Sequence, residues 1–284
     1  MREWIALVLA GALCGCAAQP ATVPAPQPAA SAAEFVHAQK ERAKSLQSFA
    51  SRGSAELRWK DEQGSHFEQA QVELAWRDGG ERMALRADKV GERIAWAGAD
   101  ATQWWIFEPK ADPSRLTLGP RGVEPKDSAL PFAGPDSVME LLAARAWPDT
   151  TTLGEPLPDG TRWLSWNISK PIGSWCASRA RVSKPGALPT VVELLDANGV
   201  MIASSELSRP MSVEIATLPP GAWPEVAGTT RLRMQGDGGA AWDVFWDAPG
   251  TNPERLKDRL FNLNVLIEVM RPVVVREQGT KDPR

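Results

Sequence analysis

The residues whose types and spacing point most directly to a chemical reaction stand close to the N-terminus. Arg2 is followed by an apolar run over residues 4–10 and then by Leu13-Cys14-Gly15-Cys16. The run is too short to cross a bilayer and is typical of a secretory signal peptide. Small residues before Cys16 let a signal peptidase close on an extended backbone, and the thiol that follows can accept a diacylglyceryl group as a thioether. We therefore predict a lipoprotein signal peptide over residues 1–15 and lipidation of Cys16. An ordinary signal peptide with incidental cysteines and an uncleaved anchor are the alternatives.

The segment after Cys16 has the composition of a tether. Residues 17–33 are rich in proline and alanine and carry no charge, so they cannot build a core. Residues 16–33 are expected to be a lipidated cysteine and an extended spacer that joins a membrane anchor to a folded domain. Ala17 stands where an acidic residue is the usual signal for retention in the inner membrane. The sequence thus predicts a lipid-anchored protein of the cell envelope, on the outer membrane and facing the periplasm.

Other residues with chemical potential do not form a recognisable catalytic or metal-binding pattern. His37 and His66 are the only histidines, and they stand far apart without the spacing of a metal site. Cys176 is the only cysteine beyond the signal peptide and Cys16, so it has no partner for an intrachain disulfide. The net charge is −3 with both signs interspersed, and no basic stripe suggests a nucleic-acid partner. We predict no catalytic site, no cofactor and no metal, although a site assembled from scattered residues stays possible in principle.

The elements that follow the tether are mainly β-strands. Residues 34–48 predict one helix, with a modest stripe of Phe35, Ala38, Arg42 and Leu46 at helical spacing. From residue 55 onward the apolar residues alternate with polar ones, and short turns separate the runs. Roughly ten strands are expected in a single domain over residues 34–277, followed by a polar tail over 278–284. A break over residues 108–131 and a last strand over residues 261–269 complete the prediction.

Such a chain is expected to form a curved antiparallel sheet. Strands and helices do not alternate along the chain, which argues against a parallel α/β fold. A long antiparallel sheet must hide its apolar face, and it can curl and cover that face with the helices that it carries. Helical segments are predicted over residues 34–48, 135–145 and 253–260. The fold class is therefore mostly β with a few short helices.

Particular stretches resemble a known superfamily in their order and layout. Leu46-Gln47-Ser48-Phe49 ends the first helix, and a strand follows over residues 52–57. Residues 100–109, a small helix over 136–144 and the hairpin at 194–199 continue the pattern. The layout resembles the Lol superfamily, which contains the periplasmic carrier and the outer-membrane receptor that move lipoproteins. The resemblance covers residues 34–275 and is best over 45–110.

The resemblance implies an incomplete, half-open β-barrel around a hydrophobic cavity, with the helices as a lid and acyl chains or lipoprotein cargo as ligands. The receptor is expected to carry an apolar residue on a protruding loop between early strands. The corresponding turn here is Asp78-Gly79-Gly80, which is short and polar. This departure puts a role in inserting cargo into the membrane in doubt, because the expected apolar residue is absent from this turn.

Aromatic and aliphatic residues at alternating positions are the candidates for lining such a cavity. The chain has thirteen tryptophans and no tyrosine. The candidates, expected on the inner face of the sheet, are Leu57, Trp59, Leu74, Trp76, Leu85, Ile94, Trp96 and Trp104. They either leave room for acyl chains or fill the core of the curved sheet themselves. Trp104 and Trp105 are adjacent and must point to opposite faces.

Three classes of function are compatible with these observations. A carrier of acyl chains or lipoproteins requires a large apolar cavity. A structural or adaptor lipoprotein, which docks another envelope protein, requires a filled interior and an exposed apolar edge. An enzyme requires polar groups that converge in a cleft. The sequence favours the carrier, with the adaptor as the alternative.

Overall fold

A computed structural model describes residues 30–61, 64–123, 134–235, 239–251 and 256–278 of the chain. The signal peptide, Cys16 and almost all of the tether lie outside these residues. The helices are α1 (Ala32–Ser45), α2 (Pro135–Leu141) and α3 (Leu263–Met270). The strands are β1 (Phe49–Asp61), β2 (Gly64–Arg77), β3 (Arg82–Lys89), β4 (Glu92–Ala99), β5 (Gln103–Glu108), β6 (Arg115–Pro120), β7 (Thr152–Pro156), β8 (Arg162–Ile172), β9 (Trp175–Val182), β10 (Val191–Leu195), β11 (Met201–Ser212), β12 (Glu225–Met234), β13 (Ala241–Gly250) and β14 (Val274–Glu277).

All fourteen strands belong to one sheet that does not close. The strand order is β14-β6-β5-β4-β3-β2-β1-β13-β12-β11-β10-β9-β8-β7, so β14 and β7 are its two edges. Neighbours pair antiparallel except β14, which lies parallel to β6. Two meanders are joined where β1 pairs with β13. The predicted fold class, a mostly β protein with a curved and half-open sheet, is confirmed.

The first helix forms close to where its apolar stripe predicts it, over Ala32–Ser45 rather than residues 34–48. Ser31 and Glu34 make a capping box, in which each side chain accepts a hydrogen bond from the other residue's backbone N–H. Phe35, Val36 and Ala43 are buried, and Phe35 and Val36 pack with Trp166 and other side chains of the second meander. The helix therefore covers the part of the sheet that the β8–β12 strands form.

The sheet is covered on both faces in its first half. The inner face carries the largest apolar cluster, which includes side chains from β1 to β5, from β13 and from α2. The outer face carries a second cluster, in which Trp105, Phe107 and Leu116 pack against Leu256, Phe261 and other side chains of the C-terminal segment. Because both faces are buried, β5 reads as a nearly continuous apolar run, Trp104-Trp105-Ile106-Phe107.

Two glycines give these tryptophans room across the sheet. Gly98 is paired with Trp105, and a Cβ atom at Gly98 would lie 2.5 Å from the indole ring. Gly119 is paired with Trp104, where a Cβ atom would lie 2.3 Å from the ring. Each indole thus lies flat on a glycine of the neighbouring strand, on opposite faces of the sheet. The prediction that Trp104 and Trp105 point to opposite faces is confirmed.

The C-terminal segment differs from its predicted form. Residues 261–269 alternate apolar and polar in part, which predicted a strand, but Leu263–Met270 is helical. The side chain of Asn262 accepts hydrogen bonds from the backbone N–H groups of Asn264 and Val265. This N-cap favours a helix over a strand for the residues that follow. The predicted helix over residues 253–260 lies partly outside the described residues, and Asp258–Phe261 forms a 3-10 turn.

The predicted break over residues 108–131 is also wrong in part. Arg115–Pro120 forms β6, which pairs with β5 on one side and with β14 on the other. The prolines and the glycine around this strand indicated a loop in the sequence. Gly119 does not form a turn, because it lies within the strand where the ring of Trp104 packs closely on its backbone.

Candidate functional site

The interior of the first half of the sheet is filled by α2. Every residue of this seven-residue helix is buried, and Val138 and Met139 belong to the main apolar cluster of the inner face. Leu141 packs with Trp175 and Leu194 of the second meander, so the helix lies between the two halves of the sheet. A helix of two turns is not stable by itself in water. Its conformation therefore depends on the contacts that hold it inside the sheet.

A small apolar cavity lies between α2 and the inner face. Its volume is about 40 Å³. The lining side chains come from β2, β3, α2, β12 and β13: Val72, Leu74, Leu85, Val138, Leu141, Leu142, Thr230, Leu232, Met234, Trp242, Val244 and Trp246. On this measure a water needs about 10–15 Å³, so the space holds a few water-sized groups and not an acyl chain. The interior is therefore nearly filled.

A second, smaller cavity adjoins the first one on the side of α1. Its volume is about 20 Å³, and Leu74, Leu142 and Trp246 line both cavities. Its other lining residues are Arg42, Leu46, Phe49, Trp76, Ala144, Val226 and Ala227. Arg42 is the charged residue of this set and is buried.

An open cleft of about 600 Å³ lies where the ends of β1 to β5 meet. Trp59, Ile94 and Val90 supply its apolar part, and His66 stacks on Trp59 with ring centroids 4.9 Å apart. Charged side chains form its rim: Glu68, Lys89, Glu92, Glu108 and Lys110. Lys89 pairs with Glu68 and Lys110 pairs with Glu92, so the rim is largely neutralised.

Polar contacts from two elements, α1 and β11, hold the C-terminal end of α2 in place. Gln39 Nε2 of α1 donates to the carbonyl oxygens of Ala143 and Arg145 at 2.8 and 2.7 Å. Arg42 Nη1 also donates to the Ala143 carbonyl. Ser205 Oγ of β11 donates to the Leu141 carbonyl. These bonds satisfy carbonyl groups that the helix end leaves without an intrahelical donor, and they connect α1 to α2.

An ion-pair cluster holds the first turn of α2. Arg121 donates to both carboxylate oxygens of Asp136, with Nη2 2.6 Å from Oδ1 and Nε 3.1 Å from Oδ2. Arg145 donates to the same carboxylate. Burial by itself would raise the pKa of Asp136, but the two guanidinium groups outweigh it and hold that pKa below its ordinary value.

Glu140 on α2 is a buried acid whose pKa is shifted in the opposite direction to that of Asp136. Burial raises its pKa, and the nearby Arg145 and the hydrogen bonds from Ser178 and Trp166 offset this only in part. Its Oε1 atom is buried and has no hydrogen-bond partner. This environment therefore favours the protonated form of the carboxyl group more than water does.

Most of the predicted cavity residues lie together on the inner face. Leu57, Leu74, Trp76, Leu85 and Trp104 are buried in the main cluster, and Trp59 and Ile94 pack against it. Leu74 and Leu85 line the cavity under α2, whereas Trp59 and Ile94 line the open cleft. The indole of Trp76 stacks on Phe49 at 4.1 Å and donates to the Leu46 carbonyl at 2.7 Å.

The predicted position of Trp96 on the inner face is wrong. Trp96 belongs to the outer cluster with Trp105 and Leu256. The pairing of β3 with β4 shifts between Ala87 and Asp88, which leaves Ile94 as an extra residue in β4. After this β-bulge the alternation reverses, so Ala95 points inward and Trp96 points outward.

Sequence reasoning missed several residues of this interior. Val138, Leu141 and Leu142 were assigned only to a short helix, and Trp242, Val244 and Trp246 only to a late strand. Their alternation was visible, but the pairing of β13 with β1 that brings them to the site has no local signal. Arg42 did have a signal, since a charged residue occupied a position of the apolar stripe of the first helix.

Within the described part of the chain, no three His, Cys, Asp or Glu side chains gather where they could hold a metal ion. No helix among the described residues is long and apolar enough to cross a membrane.

The curved sheet, with helices packed on its inner face, defines a class of half-open β folds around an apolar interior. No protein-family model and no curated protein sequence matches the chain. Solved structures do match. A domain from Vibrio parahaemolyticus, assigned to outer membrane lipoprotein sorting, has 12% identity and a TM-score of 0.55 over 82% of this chain and 98% of that one.

Two further structures match to the same extent. A LolA superfamily protein from Nitrosomonas europaea has 13% identity and a TM-score of 0.54, covering 83% of this chain and 99% of the other. A DUF1329 family protein from Desulfovibrio piger has 12% identity and a TM-score of 0.53, covering 82% and 99%. The chain thus has the Lol-type fold, and the resemblance inferred from sequence is confirmed at the level of fold.

Proposed function

We propose that this protein is a lipid-anchored carrier of the cell envelope that binds acyl chains, free or attached to lipoprotein cargo, between α2 and the inner face of the sheet. The proposal assigns it no catalytic reaction. The observation that carries it is the packing of α2, a helix too short to be stable alone that fills an apolar interior. The Lol-type fold of the chain supports a role in lipid or lipoprotein binding.

Binding requires α2 to leave part of the interior. The cavity of about 40 Å³ is too small for an acyl chain while α2 is packed as described. An acyl chain would replace Val138, Leu141 and Leu142 against the same sheet side chains, so the inner face of the sheet would stay covered. The open cleft beside Trp59 and Ile94 offers a route from solvent to the inner face.

The energetics are adequate for reversible binding. Apolar surface removed from water contributes about 25 cal/mol per Å². An acyl chain that buries a few hundred Å² gains several kcal/mol before the costs of ordering the chain and of displacing α2. Affinity of this size suits a carrier, which must also release its ligand.

Lipid anchoring completes the proposal. The signal peptide, the lipidation of Cys16 and the tether over residues 16–33 would hold the domain at the outer membrane on its periplasmic side. Two acyl chains or more give stable anchoring, because each buried methylene contributes about 0.8 kcal/mol. Solved structures of the same fold include a domain of outer membrane lipoprotein sorting, and this supports a place in the cell envelope.

A second candidate function, the adaptor, is favoured by a different surface. Six of the eight residues of α3 are apolar, yet only Leu266 is buried among them. Val269 and Val273 are 68% and 73% exposed, and Val275 on the edge strand β14 is 51% exposed. A nearly filled interior with an exposed apolar edge is what a docking lipoprotein requires.

Tryptophan fluorescence with a brominated fatty acid tests the carrier function. Trp246 lines both interior cavities, whereas Trp96 lies on the outer face. We expect the brominated fatty acid to quench the lipid-free domain, Trp246→Phe to lose a large part of this quenching, and Trp96→Phe to keep it.

The same titration separates the two candidates. If saturating fatty acid leaves both the fluorescence and the melting temperature unchanged, the carrier function is excluded. The adaptor function is then tested by cross-linking α3 to another envelope protein. It predicts that the double variant Val269→Ser, Val273→Ser abolishes this cross-link. The serine variant is expected to leave the quenching of a functioning carrier unchanged.

A further inference from the structure

Arg42 has a buried guanidinium group without a charged hydrogen-bond partner. It lies on the inner side of α1 and is 7% exposed. Its Nε atom donates to the Glu225 carbonyl oxygen at 2.8 Å, and Nη1 donates to the Ala143 carbonyl and to Gln39 Oε1. The Nη2 atom is buried and has no acceptor. The acceptors that Arg42 does have are all neutral oxygens.

An arginine in this state is costly for the folded protein. Buried charges in proteins are normally paired with an opposite charge, because removing a cation from water is unfavourable. Burial lowers the pKa of Arg42 to about 10, and the charge of Glu225 offsets this only in part. The guanidinium group therefore keeps its positive charge at neutral pH. Its cost suggests that an anion joins it in another state of the protein.

The position of Arg42 indicates which kind of anion. Arg42 lines the smaller cavity, whose remaining walls are apolar side chains. Leu142 and Trp246 stand between this cavity and the apolar space under α2. A ligand that displaces Leu142 would thus meet an apolar slot and, at its end, a cationic donor. This is the pattern of an amphiphile with one acyl chain and an anionic head.

We propose that Arg42 is a binding residue for the carboxylate or phosphate head of a single-chain anionic amphiphile, with Nη2 donating to a head oxygen. The inference rests on the proposed carrier function and narrows its ligand class. The amide-, ester- and thioether-linked chains of a fully acylated lipoprotein carry no such anion. A fatty acid or a lysophospholipid with a phosphate head does carry one.

Three ligands with the same chain separate the role of the head from that of the chain. We would titrate the lipid-free domain with dodecanoate, dodecyl phosphate and dodecanol at neutral pH, and with inorganic phosphate alone. Charge-assisted hydrogen bonds are about twice as strong as neutral ones. We expect both anionic amphiphiles to bind at least about tenfold more tightly than dodecanol, and inorganic phosphate to compete weakly.

Substitutions at Arg42 and a change of pH provide two independent checks. Arg42→Gln is expected to bring the three affinities together, and Arg42→Lys to keep part of the preference. If Arg42→Gln does not fold, the wild-type protein suffices. Below the pKa of the dodecanoate carboxyl, dodecanoate should bind like dodecanol, while dodecyl phosphate keeps its advantage.

Equal affinities of the wild-type protein for dodecanoate and dodecanol would overturn the inference. A cavity of about 20 Å³ would then hold a single water that accepts from Nη2. Tight binding of inorganic phosphate that dodecanoate does not displace would also overturn it, in favour of a site for a free anion. Failure of all three chain ligands to bind would instead remove the carrier function itself.

Discussion

The backbone of Gly80 lies against the side chain of Met139 on α2. A Cβ atom at Gly80 would lie 2.5 Å from Met139 Cε. Gly80 also has a φ of 95°, which side chains rarely tolerate. The turn between β2 and β3 and the helix inside the sheet are therefore fitted to one another, and a side chain at residue 80 would need both a strained backbone and a shift of Met139.

Replacing Gly80 by alanine is expected to destabilise the protein and to loosen α2. Met139 is fully buried, so moving its end away from a new methyl group disturbs the core around the helix. We expect a loss of about 2–3 kcal/mol, from backbone strain and repacking together. Denaturant unfolding measures this loss, and the fatty-acid titration should show faster binding.

Gly91→Ala is the matched control for this prediction. Gly91 has a φ of 80° and no heavy atom within 4 Å of an added Cβ. Only the strain remains, and we expect a loss of about 1–2 kcal/mol with unchanged fatty-acid kinetics. Equal losses in the two variants would contradict a role for the contact between Gly80 and Met139.

The buried carboxyl of Glu140 makes the stability of the folded protein depend on pH. Because burial raises its pKa in the folded protein, the folded state holds this proton more tightly than the unfolded state. Its contribution is therefore most favourable below the ordinary pKa of 4.5 and is lost as the pH rises through the folded-state pKa. In Glu140→Gln the side chain keeps its shape but no longer titrates. We expect the variant to melt a few degrees higher at neutral pH and to show a flatter profile above pH 4.5.

Asp136 provides the contrast, because its pKa in the folded protein is lowered. Its contribution to stability is present above the ordinary value of 3.8 and is lost as the pH falls through the lower folded-state pKa. Asp136→Asn should therefore be destabilised at neutral pH and approach the wild type in acid. For the Glu140 prediction, the test is the melting temperature plotted against pH. If the plots of the wild type and of Glu140→Gln run parallel from acid to neutral pH, Glu140 does not cause the pH dependence.

Local patterns predicted the strands of the first meander and α1 well. Leu57, Leu74 and Leu85 alternate with polar residues, and the two-residue period places each on one face without any knowledge of its neighbours. The stripe of the first helix, which includes Phe35, likewise depends on residues three or four positions apart in the chain. Signals of this kind can be read from the sequence because they depend on neighbours close in the chain.

The interior could not be predicted in the same way. One extra residue, Ile94, turns Trp96 to the outer face, and no composition marks this bulge. Trp246 reaches the site because β13 pairs with β1, nearly two hundred residues earlier in the chain. Arg42 stood out as a charge in an apolar stripe, but only the fold shows that its Nη2 lacks an acceptor.

Lipidation of Cys16 is a prediction that the described residues do not test. Cys16→Ala removes the thiol that accepts the diacylglyceryl group, so the domain should lose its label from radioactive palmitate. It should also leave the membrane fraction or accumulate as a larger precursor. Cys14→Ala, which changes the neighbouring cysteine, is expected to keep both label and location. Unchanged labelling of Cys16→Ala would exclude the lipobox, and recovery with inner-membrane markers alone would contradict the outer-membrane location.

Val90 combines strain with exposure at the tip of the β3–β4 hairpin. It is 95% exposed and has a φ of 51°, which is unfavourable for a β-branched residue. The turn at residues 78–80 is polar, as the sequence showed, so Val90 is the apolar side chain that an early turn presents to solvent. On the proposed carrier function, we expect Val90 to contact the membrane during the transfer of an acyl chain, because it lies beside the open cleft.

Val90→Asn is therefore expected to separate stability from membrane contact. Asparagine tolerates this φ, so we expect a gain of about 0.5–1 kcal/mol in the free energy of unfolding. Binding of the lipid-free domain to phospholipid vesicles should fall, because the exposed apolar tip is gone.

Val200→Asn is the control, since Val200 is 59% exposed on a different hairpin. It should change stability by less than about 0.5 kcal/mol and leave vesicle binding intact. An equal loss of vesicle binding in both variants would show that exposed valines act nonspecifically and that Val90 has no special role.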